Sequence, residues 1–356
     1  MWKPYNIAFY VHHHGSGHIM RTLAIAQSVK NCRISLLGSN LQAYAKLIPE
    51  DYQQVHLPLD IPEATDLAFT ERKPAGIHYA PLNVKGQRER VSIITDFFAR
   101  TTPMLLVVDV STEVAMLATL AGVPYVYVKQ HGNRIDLPHL NAYRNAVGLL
   151  APYPEKMKGN DADWIFEKTF FAGGISRFEP EPVQVSHDHH EVAIMVGSGG
   201  TSIDHNFIQY IAETCPDWHF HIIGKIITKD YPTHNTTFHG SLPDPRTLLK
   251  TCSIVIGNAG HNTVMEMAAL NKKFIAIPEM RPFDEQLAKA EILEDLKLAL
   301  VIKPESLYHT PWGNLLENIH LFMPEWDGIV TPNATILAAG YLTKWYRSIF
   351  SESGTF

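Results

Sequence analysis

The sequence has few cysteines, no excess of basic charge and no long apolar run. Its three cysteines, Cys32, Cys215 and Cys252, are scattered along 356 residues, which excludes a disulfide framework or a zinc knuckle and favours a reducing cytoplasm. No apolar run reaches the ~18 residues of a membrane span, and the amino terminus lacks the basic-then-apolar pattern of a signal peptide. The chain has 30 basic and 36 acidic residues, and the resulting net charge of −6 argues against nucleic acid as a partner. We therefore expect a soluble cytoplasmic protein, with peripheral contact to a membrane surface left open.

Strand-like apolar runs alternate with helical patterns along the first half of the chain. Residues 5–11, "YNIAFYV", are typical of a buried parallel strand, and the apolar residues over 19–29 follow at helical spacing. Apolar runs at 33–39 and 103–110 continue the alternation, and a helical pattern follows the second of them. Alternation of this kind predicts an α/β domain with a doubly wound parallel sheet flanked by helices.

The alternation stops at residues 176–191, "SRFEPEPVQVSHDHHE", which are rich in proline, charge and histidine and have no period. It resumes at 191–202, "EVAIMVGSGGTS", where a strand, a glycine loop and a helix repeat the layout of the opening stretch. Since 356 residues are also long for one core, two domains are expected. We predict an amino-terminal domain over 1–178, a linker over 179–191, a second domain over 192–332, and a helix over 333–356 that returns to the first domain.

The loop "HHHGSGH" at residues 12–18 lies between the first predicted strand and the first predicted helix. Ligands bind at such loops in doubly wound sheets, because free backbone N–H groups and the positive end of the helix dipole point into the crevice. The spacing of Gly15 and Gly17 is neither that of a dinucleotide fingerprint nor that of a P-loop. His12 and His14 are expected on the same side of an extended segment, where we interpret them as polar lining of a cleft. No carboxylate pattern joins them, so no metal site is predicted.

A second loop before a helix carries polar residues suited to a diphosphate. Asn262 and Thr263 fall in the first turn of the predicted helix, where side chains and unsatisfied N–H groups can hold an anion. Glu266 lies one turn further along. Taken alone, Glu266 is better explained as an ordinary helix-start glutamate favoured by the dipole.

Residues 252–302, "CSIVIGNAGHNTVMEMAALNKKFIAIPEMRPFDEQLAKAEILEDLKLALVI", resemble the donor-binding region of GT-B glycosyltransferases. The likeness is to the family of the peptidoglycan N-acetylglucosaminyltransferase and, more loosely, to the UDP-glycosyltransferases of natural-product metabolism. That pattern runs from a strand through a glycine turn into a helix, then through a strand ending in proline to an acidic residue and glutamine in a loop. The matching residues are Gly260, Asn262, Thr263, Glu266, Pro278 and Gln286. The resemblance implies a GT-B fold, in which two Rossmann-like domains face each other across a cleft.

The resemblance also implies a nucleotide-sugar donor in the second domain. It implies that Glu266 binds the ribose 2′- and 3′-hydroxyls and that Gln286 binds the sugar hydroxyls. The resemblance implies that the loop at 197–200 contacts phosphate or sugar and that the loop at 238–244 contacts the base. Without the resemblance, both loops are explained as simple turns. The predicted donor-binding set is Gly17, Ser198, Gly199, Leu242, Gly260, His261, Asn262, Thr263, Glu266, Glu285 and Gln286.

The same resemblance implies a catalytic role for the loop at residues 12–18. In the resembling families its histidine is the general base for the acceptor hydroxyl, and His18 holds that position. A helix amino end disfavours the imidazolium form, which keeps such a histidine ready to take a proton. Asp109, at the end of the strand predicted over 103–110, is the candidate to orient the imidazole. On the acceptor side, for a small-molecule or lipid-linked acceptor, we predict His14, Arg21, Gln130 and His131.

The sequence also leaves alternatives to sugar transfer open. "GSGHIMRTLAIA" is also similar to the opening of the UDP-sugar hydrolase of pseudaminic acid synthesis, which uses water as acceptor, and Arg21 belongs to that pattern. Residues 128–136, "VKQHGNRID", look instead like the acceptor-side loop of the transferases, so transfer is favoured. The prediction is metal-independent transfer with a UDP-sugar co-substrate and no other cofactor, the departing diphosphate being stabilised by helix amino ends and neutral polar groups. An epimerase and an inactive partner subunit stay open, although His18, Glu266 and Gln286 argue against the latter.

Overall fold

The computed structural model describes residues 5–13, 15–72, 74, 76–182, 190–197, 199–226 and 233–350. The first of its two parallel sheets has seven strands. These are β1 (Tyr5–Tyr10), β2 (Cys32–Gly38), β3 (Gln53–His56), β4 (Leu105–Asp109), β5 (Tyr125–Val128), β6 (Gly148–Ala151) and β7 (Thr169–Phe171), in the order β3-β2-β1-β4-β5-β6-β7. Its helices are α1 (Gly17–Ser28), α2 (Lys85–Arg100), α3 (Thr112–Leu120), α4 (Leu137–Asn145) and α5 (Asp163–Lys168).

The second sheet has six strands and the same doubly wound arrangement. Its strands are β8 (Glu191–Met195), β9 (His219–Ile223), β10 (Thr236–Gly240), β11 (Ile254–Asn258), β12 (Lys273–Ile277) and β13 (Leu300–Val301), in the order β10-β9-β8-β11-β12-β13. The helices that follow are α6 (His205–Thr214), α7 (Arg246–Thr251), α8 (His261–Ala269), α9 (Glu285–Asp295), α10 (Trp312–Asn318) and α11 (Ala334–Phe350). The predicted fold class, α/β with two Rossmann-like sheets, is confirmed.

The central strands are apolar because helices cover both faces of each sheet. All five residues of β4 and all five of β11 are buried. The strands that the sequence analysis did not anticipate are short or lie towards the edges, as β3, β6, β7, β10 and β13 do. Their few residues carry too little apolar pattern to separate them from loops.

The carboxyl-terminal helix α11 packs against the first domain. Ala338, Ala339 and Leu342 are buried in one core with Ile7 and other residues of the first sheet. Gly148 makes room for this helix, because a Cβ there would lie 2.0 Å from the Tyr341 hydroxyl and 2.7 Å from Trp345 Nε1. The last described helix therefore packs on the domain that contains the first described strand.

The two domains also share apolar contacts below the cleft. Tyr153 and Met157, which follow β6, are buried in one cluster with Met265 and Ile329 of the second half of the chain. Phe178, at the predicted domain boundary, joins the same cluster. None of the described helices combines the length and the apolar character needed to cross a bilayer.

Candidate functional site

Two cavities lie at the carboxyl ends of the strands, on either side of the loop between β1 and α1. One measures 520 Å³ and is lined from the first domain by Ser16 and Arg21 and from the second by the start of α8. The other measures 1030 Å³ and is lined by His12, His13 and His18. The opening glycine loop therefore lies between two separate cavities.

His18 is oriented by a buried carboxylate. Its Nδ1 lies 2.9 Å from Oδ2 of Asp109, and Nη2 of Arg21 lies 2.8 Å from both oxygens of the same carboxylate. Burial alone would raise the pKa of Asp109, but Arg21 and His18 outweigh it and hold that pKa well below its usual range. An ionised Asp109 accepts a hydrogen bond from the Nδ1–H of His18, so Nε2 carries the free lone pair of the neutral ring.

The smaller cavity contains the start of α8. The helix begins at His261, with Gly260 as its N-cap and no acidic residue in the first turn, so its free N–H groups can donate hydrogen bonds to an anion. Asn262 and Thr263 line the cavity beside them. A Cβ on Gly17 would lie 3.2 Å from Nδ2 of Asn262, so the two glycine loops meet here.

His261 is a neutral imidazole in this wall. Burial lowers its pKa well below the usual value, and the nearby cations Lys289 and Arg21 lower it further. Nε2 of His261 has no hydrogen-bond partner among the described residues, although the side chain is buried. A buried polar atom of this kind usually meets a water or a ligand.

Glu266 also lines the smaller cavity, one turn into α8, but it is not free. Nε of Arg177 lies 2.8 Å from Oε1 of Glu266, and Arg177 also donates to the carbonyl of Pro243 at 3.0 Å. Burial raises the pKa of Glu266, and Arg177 opposes that rise. Leu242 lines the same cavity, as the implied base-contacting loop requires.

Glu285 and Gln286 lie in the first turn of α9 rather than in a loop, which corrects the sequence interpretation. The buried Gln286 accepts a hydrogen bond from the backbone N–H of Glu279 at 3.0 Å, so it is not a solvated amide. Glu285 lines the larger cavity instead of the smaller one, and Arg134 lies 3.5 Å from it. Helix α9 starts earlier than expected because Phe283 and Asp284 turn the chain with positive φ angles of 61° and 54°.

Apolar, aromatic and charged side chains line the larger cavity. Gln130 and Gly199 line it, although Gly199 was expected on the donor side. With its amide oriented to suit both neighbours, Gln130 accepts from Arg21 at 2.9 Å and donates to Glu285 at 3.2 Å. This bridge joins the Asp109 pair of the first domain to the second domain.

Two of the predicted acceptor-side residues lie elsewhere. His131 is buried away from the cavity, where its Nε2 donates to the carbonyl of Met157 at 2.8 Å and its ring packs on Tyr153. Arg21 lines the smaller cavity rather than the larger one. His14 and Ser198 lie outside the described residues. His12 and His13 both line the larger cavity, contrary to the expected alternation, because β1 has already ended at Tyr10.

Three cations around the site were not predicted from the sequence. Arg177 lies in the aperiodic stretch 176–191, just before the predicted linker, and Arg134 lies within the predicted acceptor-side loop at 128–136. Lys289 sits in α9 with only 1% of its surface exposed, 3.7 Å from Glu285, and burial lowers its pKa to about 8. Lys289 follows Gln286 by three residues, a spacing that puts both side chains on one face of a helix. This spacing was the signal in the sequence that Lys289 lies near the site.

Solved structures show which fold this is. The chain is similar to a glycosyltransferase of kitacinnamycin (15% identity, 96% of this chain and 99% of the other, TM-score 0.65) and to MurG of Acinetobacter baumannii (15%, 96% and 100%, 0.62). It is also similar to CalG4, the calicheamicin glycosyltransferase, at 14% identity over 99% of this chain and 100% of that one, with a TM-score of 0.64. The chain therefore has the GT-B fold of glycosyltransferases.

The second domain carries a more specific match. Residues 227–320 match the model of the glycosyltransferase family 28 C-terminal domain, and this segment contains helices α7 to α10. The comparison with curated proteins found no match to this sequence. The resemblance to GT-B glycosyltransferases of the MurG group is confirmed.

Proposed function

We propose that this chain transfers a sugar from a UDP-sugar to the hydroxyl of an acceptor, with His18 as the general base and without a metal ion in the reaction. The 520 Å³ cavity is the donor site in this proposal, and the 1030 Å³ cavity is the acceptor site. The observation that carries it is the position of His18, which is fixed by Asp109 and faces the larger cavity next to the start of α8.

The donor site follows from its charges. The amino end of α8, together with Asn262 and Thr263, would hold the diphosphate, and Nε2 of the neutral His261 would donate or accept one further hydrogen bond. Glu266 would bind the ribose hydroxyls after Arg177 has moved aside. The family 28 match over this segment supports a nucleotide-sugar donor.

The chemistry needs one base and an electrostatic clamp. His18 Nε2 would take the proton of the acceptor hydroxyl as its oxygen attacks the anomeric carbon. The bond from that carbon to the diphosphate oxygen breaks, and the UDP leaves with the electron pair. Asp109 would stabilise the imidazolium that forms, while the α8 amino end stabilises the departing diphosphate.

The alternative of hydrolysis is favoured only by the likeness of residues 15–26 to the hydrolase opening. A cavity of 1030 Å³ beside the base is of the size that holds a drug-sized molecule, which water does not require. The size of this cavity therefore supports transfer.

Turnover of His18→Ala tests the proposal. Nucleotide sugars that bind wild type are first identified by thermal shift, since a ligand at a hundred times its Kd stabilises a fold by ~2.7 kcal/mol. We expect turnover to fall by ~10²–10⁴-fold in His18→Ala, whereas the Kd of the donor stays close to wild type. His309→Ala, at an exposed histidine, is the matched control. Loss of donor binding in His18→Ala would make the loop a phosphate cradle, and turnover that requires an added divalent ion would contradict the metal-free mechanism.

A further inference from the structure

A cluster of imidazoles and a carboxylate lies on the second sheet, away from both cavities. Glu191 begins β8 and His219 begins β9, and the two residues are register partners in the parallel pairing. His221 follows His219 by two residues, so the two rings leave the same face of the strand. Both cavities lie at the carboxyl ends of the strands, whereas Glu191 and His219 lie at the amino ends. The cluster is therefore independent of the proposed reaction.

We propose that Glu191, His219 and His221 bind a transition-metal cation of the Zn²⁺ class. One ligand atom from each residue lies within 4.8 Å of the other two. Two imidazoles and one carboxylate are a donor set that zinc and its first-row neighbours favour. Ligand atoms in a tetrahedral zinc site lie about 3.3 Å apart, given bonds of about 2.0–2.1 Å. Small side-chain rotations on fixed strands bring the three groups to that spacing, and water completes the coordination.

The neighbouring strand β10 supplies the outer contacts that such a site needs. Nε2 of His221 lies 2.6 Å from Oε2 of Glu191, so a cation there takes the place of the shared proton. The Nδ1 proton of His221 then donates to Nε2 of His239 at 3.0 Å. Nε2 of His219 lies 2.9 Å from Oγ1 of Thr237, which leaves its Nδ1 for the metal. Metal-bound histidines almost always donate their second ring N–H in this way.

A second grouping of the same composition provides the contrast. The ligand atoms of His78, Asp136 and His139 also lie within 4.8 Å of one another. There, however, Nη1 of Arg134 lies 3.1 Å from Nε2 of His139, and Nδ1 of the same ring lies 2.7 Å from Oδ2 of Asp136. A guanidinium can only donate, so Nε2 of His139 accepts and its Nδ1 carries the proton directed at Asp136. The guanidinium also repels a second cation. This grouping therefore serves as an internal control.

The test is calorimetric titration of ZnCl₂ into the full chain after treatment with a chelator. Wild type should bind one Zn²⁺ per chain at this site, and Glu191→Gln or His221→Ala should abolish that binding. Thr237→Val, which removes only an outer contact, should weaken it ~10–100-fold. His78→Ala should bind as wild type does. Circular dichroism establishes that each variant is folded, and the visible absorption of bound Co²⁺ should disappear in His221→Ala.

Three outcomes would overturn the proposal. The first is unchanged zinc binding in both Glu191→Gln and His221→Ala, provided that both are folded. The second is binding that survives in those variants but is lost when His187 and His189, which lie outside the described residues, are both replaced by alanine. Loss of the site in His78→Ala with retention in His221→Ala would move the metal to the other grouping and count equally against it.

Discussion

Glu266 is the residue whose surroundings differ most from the sequence expectation, because Arg177 pairs with its carboxylate. The pair closes the place where a ribose would bind. A nucleotide must therefore offer Glu266 hydrogen bonds at least as good as those of the guanidinium, which a cis-diol can do through two donors. In the proposed donor site, this competition would favour a ligand with a cis-diol over one without it.

We predict that Glu266→Ala weakens UDP binding by ~1.5–3 kcal/mol, which is the contribution of hydrogen bonds to a charged group. The sharper comparison uses 2′,3′-dideoxy-UDP, which lacks both hydroxyls. Wild type should lose affinity for the analogue, whereas Glu266→Ala should bind both nucleotides alike when measured by calorimetry. Glu213→Ala, at an exposed glutamate of α6, is the control. A variant that still prefers UDP would place the ribose elsewhere.

Lys289 predicts how stability depends on pH. Burial lowers its pKa from 10.5 to about 8. Between these values the unfolded chain holds the proton and the folded chain does not, so the free energy of unfolding should rise with pH across this window. At 1.36 kcal/mol for each pKa unit, the rise is at most about 3 kcal/mol.

The measurement is urea unfolding of wild type and Lys289→Met at several pH values from about 8 to about 10.5. The stability of wild type should increase relative to that of Lys289→Met across this range, because the variant has no ammonium group to bury. Tyrosines that titrate in the same range affect both proteins equally and cancel. A difference between the two proteins that does not change with pH would show that Lys289 titrates as an exposed lysine does.

At the scale of elements, α8 and α11 have different tasks. Helix α8 presents its amino end to the smaller cavity, and its following residues are buried in the second domain. Helix α11 contributes no residue to either cavity and instead covers the first sheet. The chain thus uses its last described helix to complete the core of its first domain.

We predict that Leu342→Ala destabilises the protein by ~2–5 kcal/mol, since Leu342 is fully buried between α11 and the first sheet. Ile336→Ala on the same helix is the matched control, because that side chain is 60% exposed and its loss should change stability by no more than ~0.5 kcal/mol. Denaturant unfolding gives both values. Similar losses for the two variants would mean that α11 does not pack on the first domain by this face.

At the scale of the whole molecule, a group of contacts around Phe283 joins the domains beside the larger cavity. The Phe283 carbonyl accepts from the backbone N–H of Asn133 at 2.6 Å. The Phe283 ring packs against His139, with a centroid separation of 4.6 Å, and Arg134 lies 4.9 Å over the ring. Positive φ angles at Phe283 and Asp284 store strain in this loop, which the contact across the cleft compensates.

Gly132→Ala should open this contact. A Cβ on Gly132 would lie 2.4 Å from the Phe283 carbonyl oxygen, so one domain must move. We expect a larger radius of gyration in solution scattering and lower turnover, while both domains stay folded. Gly122→Ala is the matched control, because Gly122 also has a positive φ, 66°, but no atom within 4 Å of its Cβ position. An unchanged radius of gyration in Gly132→Ala would indicate that the domains are not held together here.

The sequence by itself determined the two parallel sheets, because their central strands are buried on both faces and read as continuous apolar runs. It also located the turn from Gly260 into α8, since glycine, polar first-turn residues and an apolar helix face are local features of neighbouring residues. Tertiary structure alone decided the pairing of Glu266 with Arg177, 89 residues away, and the burial of His131 behind the cavity. It also decided that Lys289 is buried among charged groups of both domains. The local sequence pattern indicates which faces of a strand or helix are apolar. The partners of a charged side chain depend instead on how segments distant in the sequence pack together.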